Sequence, residues 1–212
     1  MIGALRRAHP TQVALRAGQW RGHSINLGRD PEGKVLGIVG MGSIGQAIAK
    51  RAVAYDMSII YHNRHAVAPE IEAKFSAKFV SMDELLASSD VISLSLAYTP
   101  EAHHMLGKDE FTKMKKGVTI VNTARGQMID EEALIDALDS GKVWSAGLDV
   151  FEGEPEVNPK LLRDERVFLA PHLGAGTIDT YLKMENAAFG NIESALTKGA
   201  LVSIIPEQKG KF

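Results

Sequence analysis

This chain of 212 residues reads as an α/β protein, a doubly wound parallel sheet preceded by an N-terminal helical arm. Three observations predict it. Short apolar runs alternate with helix-length runs along nearly the whole chain, a glycine cluster sits at the first strand-to-helix turn, and the strands are apolar enough for a sheet covered on both faces.

Residues 1–20 read as helical but broken at Pro10, with Thr11 placed to cap a second short helix carrying Val13 and Leu15. KVLGIVG is then a strand, SIGQAIAKRAVAYD a helix and MSIIYHN a second strand, a β-α-β unit of about thirty residues. MDELLASS continues as a helix, DVISLSLA as a strand, KDEFTKMK as a helix and GVTIVNT as a strand. DEEALIDALDSG is helical, VWSAGLDVF and RVFLAPHLG are strands, and a last helix runs from about Thr180 to Thr197. The expected division is an arm over 1–22, a nucleotide-binding domain over 23–200 and a tail over 201–212.

Composition narrows the function. Lys and Arg number 24 against 26 acidic residues, and a formal charge of -2 gives no reason to expect nucleic acid or an anionic membrane as partner. The absence of cysteine excludes disulfides, thiolate metal sites and cysteine nucleophiles. MIGALRRAHPTQVALRAG lacks the apolar core of a signal peptide and no stretch approaches a membrane span, so a cytoplasmic protein is expected.

In VLGIVGMGSIGQAIA, Gly40, Gly42 and Gly45 form G-x-G-x-x-G after a strand and at the opening of a helix, with Ser43 and Ile44 between them. Gly40 suits the tight turn, Gly42 the approach of a pyrophosphate and Gly45 close helix–strand packing, which makes the sheet Rossmann-type. Phosphate would sit at the helix N-terminus, where free N–H groups and the dipole favour anions. A carboxylate at the end of the second strand would bind the ribose hydroxyls of NAD and repel the extra phosphate of NADP. Here the ending is His62, Asn63 and Arg64. Arg64 is placed to pair with a 2′-phosphate and His62 and Asn63 to add donors, so NADP is preferred and NAD remains possible. The alternative is a solvated Arg64 and a pocket that takes either cofactor.

Ligands of open α/β sheets bind beyond the carboxyl ends of strands, which singles out VNTARG, LDVFEGEP and APHLG. Arg125 offers a fork for a carboxylate or carbonyl, or else ties two loops. His172 suits proton transfer near neutral pH, or else simple packing. Glu154 is placed to orient His172 and favour its imidazolium. Glu152, Glu156, His103 and His104 read as surface or helix-edge residues. No His-x-x-x-His or mixed acid cluster marks a metal site.

Several separated motifs resemble the D-isomer-specific 2-hydroxyacid dehydrogenase family, which contains glyoxylate and hydroxypyruvate reductases. They are ALRRAHPTQVALRAGQWRG, GIVGMGSIGQAIAKRA, FTKMKKGVTIVNTARGQMIDEEALIDAL, GLDVFEGEP and LAPHLGAGT. The resemblance implies hydride transfer between NADPH (or NADH) and C2 of a small 2-oxo acid, glyoxylate or hydroxypyruvate. It implies catalytic roles for Arg125, Glu154 and His172. Asp149 would hold the nicotinamide carboxamide, and Thr99, Thr123, Ala124 and Gly174 would line the cofactor. Ala97, Tyr98 and Ala175 depart from the family's common residues. The resemblance also implies a homodimer built through the arm, with Leu5 and Leu15 as candidate contacts. Full family members carry roughly a hundred residues before the arm, so most of a substrate-binding front domain is expected to be absent. The alternative is a nucleotide-binding protein of corepressor-like type with little catalysis.

Overall fold

Seven strands form one parallel sheet in the computed structural model, which describes residues 1–20 and 27–204. The expected boundary at 22/23 and the tail beyond 204 lie outside the described residues. The strands are β1 (Val35–Val39), β2 (Ser58–His62), β3 (Lys78–Phe79), β4 (Val91–Leu94), β5 (Val118–Asn122), β6 (Val143–Leu148) and β7 (Val167–Leu169). Their spatial order is β3-β2-β1-β4-β5-β6-β7. The chain runs outward from β1 in one direction, returns, and runs outward from β4 in the other.

The helices are α1 (Ile2–Leu5), α2 (Ala8–Arg16), α3 (Ser43–Val53), α4 (Pro69–Phe75), α5 (Met82–Ser88), α6 (Lys108–Lys113), α7 (Glu131–Asp139), α8 (Pro159–Arg163) and α9 (Ile178–Lys198). Alternate strand residues feed two separate cores, as a sheet covered on both faces requires. Ile92 and Leu94 of β4 join Leu85, Leu86, Leu134 and Leu138 on one face. Val91 joins Leu36, Ile38, Ala49, Ala52 and Tyr61 on the other. No helix among the described residues is long and apolar enough to cross a membrane.

The chain divides into two compact units, 1–171 and 172–212. The first holds the whole sheet. The second is a turn followed by α9, whose N-terminus is capped by the Thr177 side chain accepting from the Thr180 N–H and whose C-terminus stops at Gly199 in the left-handed region.

The arm differs from its expected form. The break falls at Arg7, which has φ +46° and separates α1 from α2, rather than at Pro10. Pro10 lies in the first turn of α2, where a missing N–H costs no helical bond, and Thr11 donates its hydroxyl to the Arg7 carbonyl instead of capping. Leu5 is not available to a partner: it is 1% exposed and belongs to the second core, whereas Leu15 is 55% exposed. Ala4 lies against Gly147 of β6, where an added Cβ would come within 3.3 Å. The guanidinium groups of Arg7 and Arg29 each lie 4.4 Å from the Trp144 ring centroid.

Three elements were not expected: α4, β3 and α8. The first is tied down by Tyr61, which is fully buried, donates its hydroxyl to Glu72 of α4 at 2.7 Å and accepts from the Val67 N–H at 2.9 Å. Such a clamp is a tertiary contact, and no local periodicity announces it.

Candidate active site

The sheet order reverses between β1 and β4, and beyond the carboxyl ends of strands at such a switch point open α/β sheets bind their ligands. The turn after β1 needs its glycines for different reasons. Gly40 has φ +103°, and a Cβ there would lie 2.7 Å from the Leu96 nitrogen. A Cβ on Gly45 would strike the Gly40 carbonyl oxygen, so only glycine lets α3 sit this close to β1. A Cβ on Gly42 would meet nothing within 4 Å, so the backbone there is open to an incoming group.

Gly42 is also the N-cap of α3 and offers no side-chain cap, which leaves the first-turn N–H groups beside exposed Ser43 and Ile44 free for an anion. Facing the turn, Ser95 follows β4 with a buried hydroxyl that has no hydrogen-bond partner among the described residues. An uncapped helix, open backbone and an orphaned buried hydroxyl fit a phosphate-bearing dinucleotide. Further along that loop, Thr99 is exposed. The Glu101 carboxyl is held below its usual range by its own backbone N–H first, then by Thr99, with the Arg64 charge adding attraction.

At the end of β2 the three predicted residues have distinct settings. Arg64 is exposed, and His62 and Asn63 are half-buried. Asn63 accepts the Met41 N–H on its Oδ1 at 2.8 Å, and the Gly40 N–H donates to the His62 carbonyl at 3.0 Å. The second strand's end therefore braces the glycine turn, a role sequence did not reveal for Asn63. His62 Nδ1 lies 2.9 Å from the Val80 carbonyl oxygen.

Arg125 follows β5 in an extended conformation ahead of a short 3₁₀ turn, Gly126–Met128. Its side chain is exposed and its guanidinium donates to the Ala124 carbonyl at 2.6 Å. Asn122, 1% exposed, holds the loop: its Nδ2 donates to the Arg125 carbonyl at 2.8 Å and its Oδ1 accepts the Ala124 N–H at 3.0 Å. Thr123 is exposed between them. A Cβ on Gly126 would collide with the peptide joining Phe151 and Glu152, so only glycine lets this loop pack on the one after β6. Asp149 opens that second loop, 7% exposed, with its N–H donating to the Asn122 carbonyl at 3.0 Å. Glu154 accepts the Phe151 N–H at 2.9 Å. The Arg125 and Glu154 loops are thus brought together within the first unit. His172 begins the second unit, exposed and with φ +54°, and Gly174 lies in the exposed turn that follows.

Asn122 and Gly126 were missed although both lie within VNTARG. Glu152 and His104 also depart from expectation, because they are not unrelated surface groups. His104 Nε2 is 2.8 Å from a Glu152 carboxylate oxygen, the His104 N–H donates to the Gln127 carbonyl, and the Gln127 side chain donates to the Glu152 carbonyl. This ring of bonds ties the loop after β4 to the loops that carry Arg125 and Glu154. Ligand atoms of His103, His104 and Glu152 lie within 4.8 Å of one another. The two imidazoles are stacked at 4.0 Å and 18°, however, so their in-plane lone pairs lie in nearly parallel planes.

The switch point and its glycine turn define a dinucleotide-binding protein of the doubly wound class. The NAD binding domain of the D-isomer specific 2-hydroxyacid dehydrogenases matches residues 1–174, and the chain belongs to that family. It is 55% identical over 212 residues to 4-methyl-2-oxopentanoate reductase A of Aspergillus oryzae, covering 100% of this chain and 64% of that protein. Glyoxylate reductase 1 of Saccharomyces cerevisiae is 40% identical, with 98% of this chain and 60% of the relative covered. Among solved structures, a glyoxylate reductase from Paecilomyes thermophila superposes with a TM-score of 0.92 at 55% identity, covering 99% of this chain and 63% of that one. The chain spans about three fifths of the length of these relatives.

Proposed function

We propose that this protein reduces small 2-oxo acids to D-2-hydroxy acids and prefers NADPH as hydride donor. The observation that carries the reading is the pairing, in one unit, of an open phosphate-binding turn with Arg125 held at the end of β5 by Asn122 and Gly126. The nicotinamide, when bound, supplies the hydride. Arg125 fixes the substrate carboxylate and carbonyl, His172 donates the proton to the carbonyl oxygen, and Glu154 favours the imidazolium that donates it. Asp149 orients the carboxamide. Arg64, at a strand end whose own residues include no acid, meets the 2′-phosphate.

Glyoxylate and hydroxypyruvate are the favoured substrates. The relatives' names point to glyoxylate and to the larger 4-methyl-2-oxopentanoate, so all three belong in the test. A cytoplasmic homodimer is part of the reading, with Leu15 as the arm residue available to it. The experiment is oxidation of NADPH and NADH with each acid, beside cofactor affinity measured by fluorescence. Turnover abolished in His172→Ala and NADPH preference lost in Arg64→Ala support the assignment. Cofactor binding without turnover on any 2-oxo acid removes the reductase reading, and an unchanged preference in Arg64→Ala removes the 2′-phosphate role.

A further inference from the structure

His62 ends β2, and its half-buried ring faces the Val80 carbonyl through Nδ1 at 2.9 Å. A carbonyl oxygen only accepts, so Nδ1 carries the hydrogen of this bond. The remaining nitrogen, Nε2, makes no hydrogen bond among the described residues. In the neutral ring Nε2 is a bare lone pair, and it becomes a donor only in the imidazolium. The two cofactors differ at this place in the complementary sense. A ribose 2′-hydroxyl has a hydrogen to give, whereas a 2′-phosphate dianion offers acceptors alone.

We propose that His62 couples cofactor choice to a proton: the neutral ring accepts the 2′-hydroxyl of NAD(H), and the 2′-phosphate of NADP(H) binds with uptake of one proton at Nε2. This rests on the reading that the end of β2 meets the 2′ substituent. Arg64 and His65 follow on the same loop, Lys78 on β3 is bonded to Glu84 of α5 at 2.9 Å, and Glu101 stands on the loop after β4. Residues 40–46 of the glycine turn carry no ionisable side chain. Carboxylate, ammonium and guanidinium groups ordinarily keep their charge across the range in which imidazoles titrate, about pH 5 to 8. That leaves His62, His65 and the phosphate itself, whose second ionisation lies near pH 6.

Calorimetry of NADPH binding in buffers of different ionisation enthalpy counts the proton directly. Between about pH 7 and 8, where imidazole is ordinarily mostly neutral, the full chain should take up close to one proton per NADPH and almost none per NADH. His62→Gln should abolish the uptake while Arg64 retains measurable NADPH binding, and His65→Gln should leave the uptake in place. Preference for NADPH over NADH should fall by up to about tenfold per pH unit through this range in the wild type, and be shallower in His62→Gln. The ¹⁵N resonance of Nε2 in wild-type protein gives the same readout without any variant, moving to its protonated position on adding NADPH and not on adding NADH. Uptake that persists in His62→Gln, or an Nε2 that stays unprotonated with NADPH bound, overturns the inference alone. Equal affinity for the two cofactors at every pH overturns both the inference and the reading beneath it.

Discussion

Asn122→Ala is the substitution that tests how Arg125 is held. The side chain is 1% exposed and makes two bonds to the loop, one donated to the Arg125 carbonyl and one accepted from the Ala124 N–H. Alanine leaves both backbone groups without their partners, and each buried group so orphaned costs about 1–3 kcal/mol. The Arg125 carbonyl lies nearer solvent, so water relieves part of its loss, and the expected total is about 2–4 kcal/mol. Asn122→Asp separates the two contributions, because it keeps an acceptor for Ala124 while placing an oxygen against the Arg125 carbonyl. Urea unfolding followed by tryptophan fluorescence measures the stability. Turnover at saturating cofactor then reads the position of Arg125, with a larger effect on kcat/KM for the 2-oxo acid than on cofactor affinity. An Asn122→Ala protein that loses less than about 1 kcal/mol and keeps its kcat/KM refutes the idea that this side chain supports the loop.

The glycine turn predicts a split outcome. Gly42→Ala, whose Cβ enters open space, should fold with unchanged unfolding midpoint yet lose cofactor affinity, while Gly45→Ala, driven into the Gly40 carbonyl, should lose stability before any ligand is added; equal behaviour of the two in thermal melts and cofactor titrations contradicts this. Leu5→Ala removes a fully buried side chain of the arm and should cost about 2–5 kcal/mol in denaturant unfolding, against almost nothing for Leu15→Ala measured below any dimer concentration. Asp90 gives the pH dependence. Burial alone would raise its carboxyl, but the Val35 N–H at 2.8 Å and the Lys115 ammonium at 3.0 Å more than offset it and hold the group below its usual range. A depressed carboxyl stabilises above its unfolded value and loses that contribution as pH falls through the folded one. Stability should therefore drop below about pH 4, and Asp90→Asn should start about 1 kcal/mol lower at neutral pH and lose less on acidification.

What sequence could reveal followed the range of the forces involved. Strand and helix alternation and the Gly40–Gly42–Gly45 turn are local demands on backbone and burial, and the structure has them where periodicity placed them. The arm's break was misplaced because proline is read as a breaker, whereas Pro10 stands in the one helical turn that tolerates it. Asn122 and Gly126 stood in plain view inside VNTARG, but their reasons lie elsewhere: a carbonyl three residues on, and a peptide 25 residues away that admits no Cβ. His62 is the sharpest case. Its sequence position says only that an acid is missing, and a missing acid alone cannot distinguish tolerance of NADP from preference for it. The contact with Val80 adds the deciding chemistry, because anchoring one ring nitrogen as a donor makes the other an acceptor or a donor according to a single proton. A lysine there would favour the phosphate at every ordinary pH and an aspartate would reject it. In the proposed reading a histidine pinned through Nδ1 does either, and so ties cofactor preference to pH.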